Sequence, residues 1–297
     1  MIFITISILL SSFLTIAFKL CDRLGINKFQ AIVYNYFFCA VTGCFAVAAW
    51  PSYYSNAAEP WFKWALFMGT GFIITFYLIA LTVQKSGLAV AAVTSKLSLI
   101  IPFLFSLYLY NETASFLRIA GILLALLAVV LTLKPAKPAT NDNSSTYKTY
   151  PILKTILPVA VFVGTGLLDA LIKYVEQKYI TESIKDIYLI TAFSTAFAAG
   201  FFLLFTGMAL KKITFQSKAI LAGFIIGVPN YFSIWFLIKG LKQYNKISSV
   251  ILPVNNMGIV LVSALVAWLF FKEKLTAVNW AGIVLSVLSI MMIAFAK

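Results

Sequence analysis

Two ionisable side chains inside long apolar stretches are the residues of this chain best suited to chemistry. Lys96 lies in the run AAVTSKLS, roughly two turns into an apolar segment, and Asp169 lies deep in another. A charge in an apolar environment costs about 2.5–3.5 kcal/mol on insertion scales, so each needs a partner or a ligand. Lys96 could bind a carboxylate or another anionic group. A structural ion pair, or a reach toward the nearest polar surface, is the alternative.

A second set of polar residues occupies a matching depth in a later segment. Pro253 is followed by Asn255 and Asn256, and an offset of 161 residues aligns this pair with Thr94 and Ser95. Proline also frees a backbone carbonyl one turn earlier, which could serve a ligand. The asparagines are therefore candidates for ligand binding, and hydrogen bonding between helices is the alternative.

Two trios of polar residues are each spaced four apart, which places each trio on one helix face. They are Ser11, Thr15 and Lys19, and Thr165, Asp169 and Lys173. The two lysines lie near the ends of their segments and are expected at a polar interface. Asp169 could neutralise Lys173, or it could bind a proton or a ligand amine. Thr165, one turn earlier, joins the candidate binding residues.

Aromatic residues supply the remaining binding candidates. Asn230 and Tyr231 follow Pro229, and Trp235 lies one turn beyond Tyr231. Their rings could stack on a ligand, with packing against neighbouring side chains as the alternative. Tyr77, on an earlier segment, is a weaker candidate of the same kind.

The segments that must position these residues are membrane spans. The chain is 62% hydrophobic and 11% charged, with a mean hydropathy of +0.98, whereas soluble domains carry roughly 25% charged residues. A span needs about 20 mostly apolar residues. Ten such stretches occur, at 2–20, 29–50, 61–83, 88–110, 116–134, 152–174, 186–207, 218–240, 247–270 and 277–296. Their continuous apolar runs favour helices over the alternating strands of a barrel.

Composition also excludes several classes of protein. Histidine is absent, and Cys21, Cys39 and Cys44 form no metal-binding spacing, so neither a metal nor another cofactor is expected. No G-x-x-x-x-G-K-[ST] loop is present, and the chain is not expected to be an enzyme. The net charge of +14 comes from basic residues scattered over loop ends. That pattern fits lipid headgroups as partners and does not predict nucleic-acid binding.

The chain nearly repeats itself. Glu112 and Gly121 are nine positions apart, as are Glu273 and Gly282, and the two pairs are offset by 161. A polar, proline-containing linker at 135–151 separates a first repeat at 1–134 from a second at 152–297. Five helices in each copy would place the copies in opposite orientations in the bilayer, as in many transporters. The predicted fold is therefore an all-α polytopic membrane protein with ten transmembrane helices as two inverted five-helix repeats.

This layout, with its two Glu-x8-Gly signatures, resembles the EamA type of the drug/metabolite transporter superfamily over essentially the whole chain. The resemblance implies a central cavity that opens alternately to each side and is lined by the first, third, fourth, sixth, eighth and ninth helices. Glu112, Glu273, Gly121 and Gly282 are expected to have structural or gating roles, the carboxylates lying beside helix N-termini. The resemblance also implies that the protein lies in the cytoplasmic membrane with both termini in the cytoplasm. The distribution of loop lysines and arginines, taken alone, favours the opposite orientation.

The predicted function is that of a secondary transporter, a permease or exporter. It would move a small polar metabolite, such as an amino acid or an organic acid, by alternating access. A multidrug or cationic-compound exporter and a lipid flippase are the alternatives, and Lys96 argues against cations. Expected partners are the solute, the bilayer and, as one candidate for coupling, a proton. The chain is expected to be a monomer or a homodimer.

Overall fold

In the computed structural model, helices account for all regular secondary structure of the described residues. These residues are 2–47, 58–86, 88–109, 115–132, 151–181, 183–243, 248–271 and 276–295. They contain eleven helices: α1 (Ile2–Arg23), α2 (Lys28–Val47), α3 (Phe62–Ser86), α4 (Leu88–Leu97), α5 (Ile100–Leu109), α6 (Phe116–Thr132), α7 (Pro151–Lys178), α8 (Lys185–Ala209), α9 (Lys218–Gln243), α10 (Ser248–Phe271) and α11 (Ala277–Phe295). The predicted all-helical class is confirmed for this part of the chain.

Apolar helical segments of the described residues overlap the predicted spans. Eight are long and apolar enough to cross a membrane, and two shorter apolar helices cover Phe116–Thr132 and Ala277–Ile293. The fourth predicted span, at 88–110, is divided into α4 and α5, with a turn at Ser98 and Leu99 between them. The apolar pattern predicts one continuous helix here, so the break is a difference from the prediction.

Proline chemistry accounts for that break. Pro102 has no N–H to donate to the carbonyl of Ser98, and its ring clashes with that carbonyl in a regular helix. The backbone tightens instead, and the amides of Leu99 and Ile101 donate to the carbonyls of Lys96 and Ser98 at 3.3 and 2.9 Å.

The helices form two compact units. The first consists of Met1–Ile74 and Leu171–Lys246, and the second of Thr75–Ala170 and Ile247–Lys297. Each unit combines segments from both halves of the sequence, so the units are a different division from the predicted repeats. The repeat boundaries at 134 and 152 stay a prediction.

In the first unit, α2 packs closely against α8 and α9. Gly223 and Gly227 on α9 form a G-x-x-x-G pattern, in which small residues let two helix backbones approach. A Cβ on Gly227 would lie 2.7 Å from the Cβ of Phe38 and 2.8 Å from the carbonyl oxygen of Asn35. This pattern can be read directly from residues 223–227 of the sequence.

In the second unit, α6 packs against α11, and α10 contacts both. A glycine from each helix lies in the crossing. A Cβ on Gly121 would lie 2.7 Å from Cγ1 of Ile293, and one on Gly282 would lie 2.9 Å from the backbone carbon of Leu131. These two positions belong to the repeated Glu-x8-Gly signatures, and in the structure each glycine permits close helix packing.

Candidate functional site

Lys96 lies in the last turn of α4, next to the break. The carbonyl groups at a helix C-terminus carry partial negative charge, which stabilises a cation there by about 0.3–1 kcal/mol. The Ser98 hydroxyl donates to the Ser95 carbonyl oxygen at 2.6 Å and so satisfies one acceptor that the break leaves open. The interrupted helix therefore creates a polar position for an ammonium group within an apolar span.

Asp169 on α7 and Asn256 on α10 complete a polar cluster around Lys96 in the second unit. Nδ2 of Asn256 donates to Oδ2 of Asp169 at 2.9 Å, and the Asp169 carboxylate interacts electrostatically with Lys96. All three side chains are partly accessible rather than sealed in the protein interior. Three helices distant in sequence thus bring together an ammonium, a carboxylate and an amide.

A local contact between α7 and α5 lies close to Asp169. Gly166 lies against Ile101, and a Cβ on Gly166 would lie 2.8 Å from the Cβ of Ile101. Because Gly166 and Asp169 are three residues apart on one helix, the same contact brings the carboxylate near the α4–α5 break.

Asn255 is the neighbour of the cluster that has an unsatisfied polar atom. Its side chain is 5% exposed, and Oδ1 has no hydrogen-bond partner among the described residues. An unpaired buried polar atom typically costs about 1–3 kcal/mol. Its presence beside Asn256 is a reason to expect a ligand or a moving element at this depth.

The other residues predicted in this unit contribute less directly. The Thr165 hydroxyl donates to the Val161 carbonyl oxygen of its own helix at 2.7 Å, and Thr94 does the same to Val90 at 2.6 Å. Tyr77, on α3, is 49% exposed. The Thr165 hydroxyl is therefore satisfied within its own helix, and about half of the Tyr77 side chain lies at the surface.

The predicted aromatic residues form a separate network in the first unit. Asp186, in the first turn of α8, accepts hydrogen bonds at Oδ1 from Nε1 of Trp235 at 2.6 Å and from the Tyr231 hydroxyl at 3.3 Å. Asn230 donates from Nδ2 to Oδ1 of Asn35 on α2 at 3.1 Å. Tyr231 is fully buried, so packing dominates its surroundings.

Two lysines lie over the Trp235 ring. Nζ of Lys185 is 4.0 Å from the ring centroid, and Nζ of Lys239 is 4.6 Å from it. Asp186, Lys185 and Lys239 are not among the residues predicted from the sequence. The spacing of Tyr231, Trp235 and Lys239, four residues apart along α9, was the signal that could have drawn attention to this face.

A groove between α2 and α9 in the first unit has a volume of about 430 Å³. Its lining is almost entirely apolar: Phe38, Val41, Thr42, Phe45, Ala46, Phe224, Val228 and Phe232. None of the charged candidate residues contributes to it, so its chemistry fits lipid chains better than a polar solute.

Comparison with known proteins indicates a family. The EamA-like transporter family model matches residues 156–295. The second half of the chain is therefore similar to the EamA-like transporter family. That family is part of the drug/metabolite transporter superfamily, which the sequence resemblance had indicated. The apolar helices and the family together make the chain an integral membrane protein of the transporter type.

The similarity extends over the whole chain. An uncharacterized protein of Haemophilus influenzae is 25% identical over 292 residues, which cover 96% of this chain and 94% of that protein. A crystal structure at 15% identity matches with a TM-score of 0.75 over 100% of this chain and 98% of its own. The second comparison concerns the fold alone.

Several predicted residues stand apart from the two clusters. Glu112 and Glu273 lie outside the described residues. Gly121 and Gly282 lie in the α6–α11 crossing, where packing requires them. The expectation that Lys173 lies at a polar interface was wrong: its side chain is 1% exposed, and it interacts with the buried carboxylate of Glu176.

Proposed function

We propose that this EamA-like protein is a secondary transporter, a permease or exporter of a small polar metabolite that carries a carboxylate. An amino acid fits best, and an organic acid, which has the carboxylate without the amine, is the second candidate. The observation that carries this proposal is the cluster of Lys96, Asp169 and Asn256 beside a helix break in the second unit.

The chemistry of the cluster matches an amino acid. The ammonium of Lys96 can bind the carboxylate of the solute, and the carboxylate of Asp169 can bind its amine. Asn256 holds Oδ2 of Asp169 in place through the 2.9 Å hydrogen bond. An unpaired charge is costly at this depth. Opposite charges attract strongly in a medium of low dielectric, so a bound amino acid would stabilise both the Lys96 ammonium and the Asp169 carboxylate.

The break between α4 and α5 supports binding at this point. Discontinuous helices in transporters present helix ends and free backbone groups to solutes near the middle of the bilayer. Lys96 is on one side of the break, and Pro102, which causes it, is on the other. A helix end of this kind can change its local hydrogen bonds when a solute binds.

Alternating access would follow from two inverted five-helix repeats, 1–134 and 152–297, joined by the linker at 135–151. We place the protein in the cytoplasmic membrane with both termini in the cytoplasm. No ATP-binding loop occurs in the sequence, so a solute or ion gradient, a proton gradient among them, would drive accumulation. A cationic drug is a poorer substrate because Lys96 would repel it.

A two-stage experiment tests the proposal. Purified protein is first screened by thermal shift against amino acids, organic acids and cationic drugs. The solutes that stabilise it are then offered in labelled form to proteoliposomes. The proposal predicts saturable uptake of an amino or organic acid that is recovered chemically unchanged.

Two outcomes would contradict it. Covalent conversion of the stabilising solute would indicate an enzyme, and stabilisation by cationic drugs alone would favour the multidrug alternative. A lipid flippase would move labelled phospholipid between leaflets in the same vesicles without moving the solute.

A further inference from the structure

Glu176 is a buried carboxylate that the proposed solute site does not use. It lies in the last turn of α7, within the first unit, and its side chain is 3% exposed. Oε2 has no hydrogen-bond partner among the described residues. An unpaired buried acceptor is costly, and it is more costly when it carries charge. The ionised side chain therefore gains when a further partner occupies Oε2.

Two lysines favour the ionised form of Glu176. Lys173 lies three residues earlier on α7, so the two side chains share one helix face. Lys242 approaches from the last turn of α9. Both lysines attract the carboxylate electrostatically. Lys173 is buried and Lys242 is partly buried, so water and salt screen this attraction less than they would at the surface.

Burial and the helix end favour the neutral form of the same group. A carboxylate loses hydration when it is buried. The carbonyl groups at a helix C-terminus carry partial negative charge, which repels a carboxylate in the last turn. These two effects oppose the two lysines. A carboxylate in such a balance can take up or release a proton after a small change in its surroundings.

The other ionisable side chains near this end of α7 lie on other faces of the helix. Tyr174 and Lys178 are each two residues from Glu176, and residues two apart do not face each other. The Lys178 ammonium donates to the Tyr174 hydroxyl at 3.2 Å. The Trp64 ring on α3 packs against Tyr174 with 5.2 Å between ring centroids. In the described part of the chain, α3 therefore brings an uncharged ring to this end of α7, and Lys173 and Lys242 supply the charges that act on Glu176.

We propose that Glu176 is the proton-binding site of this protein, distinct from the solute cluster of Lys96, Asp169 and Asn256. The proposal rests on the transport function proposed above. A hydronium ion on one side of the membrane gives its proton to Oε2, which forms an O–H bond and leaves water behind. The proton is later released to water on the other side, and the carboxylate interacts again with its lysines. Solute and proton thus use different carboxylates, and a pH gradient supplies the free energy for accumulation.

Infrared difference spectroscopy of the purified full-length protein tests proton binding without any solute. A protonated carboxyl group has a C=O stretching band that the carboxylate lacks, and a buried group without hydrogen bonds absorbs at higher frequency than an exposed one. The chain has nine acidic side chains, so single components can be assigned with variants. Between alkaline and acidic buffer, the wild type and the exposed control Glu59→Gln should gain a high-frequency component. Glu176→Gln should lack it, and Glu176→Asp should show it at a shifted frequency.

Proteoliposomes test the coupling, with the solute that gives saturable uptake in the experiment above. A pH gradient of one sign or the other across the vesicle wall should raise the steady-state accumulation of that solute by the wild type and by Glu59→Gln. Glu176→Gln should accumulate no more than it does without a gradient, and Glu176→Asp should regain part of the response. Counterflow by Glu176→Gln should remain measurable, because exchange of solute for solute needs no net movement of protons.

The proposal would be overturned if wild-type accumulation ignored pH gradients of both signs while counterflow proceeded, a result that leaves the transport proposal standing. Gradient-driven accumulation by Glu176→Gln at the wild-type level would also overturn it. So would an infrared component that is lost in Asp169→Asn and kept in Glu176→Gln, because the proton would then bind in the solute cluster. If Glu176→Gln does not fold, the wild type and Glu176→Asp decide both measurements. If no solute is transported, the transport proposal fails, and the infrared comparison still decides whether Glu176 binds a proton.

Discussion

At the scale of single residues, the second unit places an ammonium and a carboxylate together within apolar spans. Asp169 gains one hydrogen bond from Asn256 at 2.9 Å and the attraction of Lys96. These interactions offset part of the cost of removing both charges from water. Both charges remain partly accessible. A zwitterionic solute can therefore replace the interaction between Lys96 and Asp169 with one interaction to each of them.

Substitution of Asp169 by Asn distinguishes binding of the solute amine from binding of the solute carboxylate. The amide keeps the shape of the side chain and an acceptor for Asn256, but it loses the charge that would bind an amine. We expect transport efficiency (kcat/KM) for an amino acid to fall at least about tenfold, equivalent to about 1.4 kcal/mol. The corresponding acid without the amine should be affected less.

Uptake of the two solutes into proteoliposomes measures this difference. Glu59→Gln removes an exposed carboxylate and serves as the matched control. Equal losses for both solutes in Asp169→Asn would mean that the carboxylate does not bind the amine.

Some of these residues could be predicted from the sequence and others could not. Lys96, Asp169 and Asn256 could be named from the rarity of polar groups in apolar spans, and the structure brings them together. Their substrate-binding role stays a prediction. Of the partners of Trp235, Lys239 could be reached from its spacing along α9. Lys185 and Asp186 could not, because they lie at a helix start, where charged residues are common and carry little information.

At the scale of elements, the interrupted fourth span is the feature most directly linked to the site. Pro102 removes one backbone donor, the helix turns at Ser98 and Leu99, and Lys96 becomes part of a helix C-terminus. Lengths and apolar patterns predicted the span as a unit. They could not predict where its hydrogen bonds shift, since that depends on one proline and on the packing of Gly166 against Ile101.

Pro102→Ala should restore a continuous helix. The alanine N–H can donate to the Ser98 carbonyl, and removal of an interior proline favours a helix by up to about 3 kcal/mol. We expect a higher melting temperature together with slower transport, because the polar helix end beside Lys96 is lost.

Melting curves in detergent and uptake into proteoliposomes test both parts. Pro158→Ala, in the unbroken helix α7, is the control and should leave transport near the wild-type rate. Unchanged transport in Pro102→Ala would show that the break is not needed for function.

The close crossing of α6 and α11 should not tolerate a larger side chain at Gly282. A Cβ on Gly282 would lie 2.5 Å from Oγ1 of Thr132 and 2.9 Å from the backbone of Leu131, which cannot move aside easily. Gly282→Val should therefore destabilise the protein by at least about 1–3 kcal/mol, measured as a lower melting temperature. Ala281→Val, on the exposed neighbouring position, should melt like the wild type. Equal melting of the two variants would contradict this packing.

At the scale of the whole molecule, the class could be predicted from composition, because a content of 62% hydrophobic residues is far above that of soluble domains. The two compact units could not be predicted. Each takes helices from both halves of the chain, and their boundaries fall inside α3 and α7. Contacts between helices distant in sequence depend on close-packing residues such as Gly223 and Gly227.

The proposed inverted repeats make a topological prediction. Five crossings in each copy would place residue 1 and residue 297 on one side of the membrane and the linker at 135–151 on the other. Epitope tags at the three positions, probed in intact and in permeabilised cells, report the side of each. A linker tag on the same side as the N-terminal tag would rule out an odd number of crossings in the first copy.

The most direct test of the central claim is solute counterflow in proteoliposomes with wild type, Lys96→Ala and Lys212→Ala. Vesicles loaded with the unlabelled solute should accumulate the labelled form transiently when they contain wild type or Lys212→Ala, whose substituted lysine lies in an exposed loop. Lys96→Ala, inserted at the same level, should lose at least about 90% of this exchange, as expected when one charged contact of about 1.4 kcal/mol is removed. Exchange by Lys96→Ala at the wild-type rate would contradict the assignment of the solute site to the cluster of Lys96, Asp169 and Asn256.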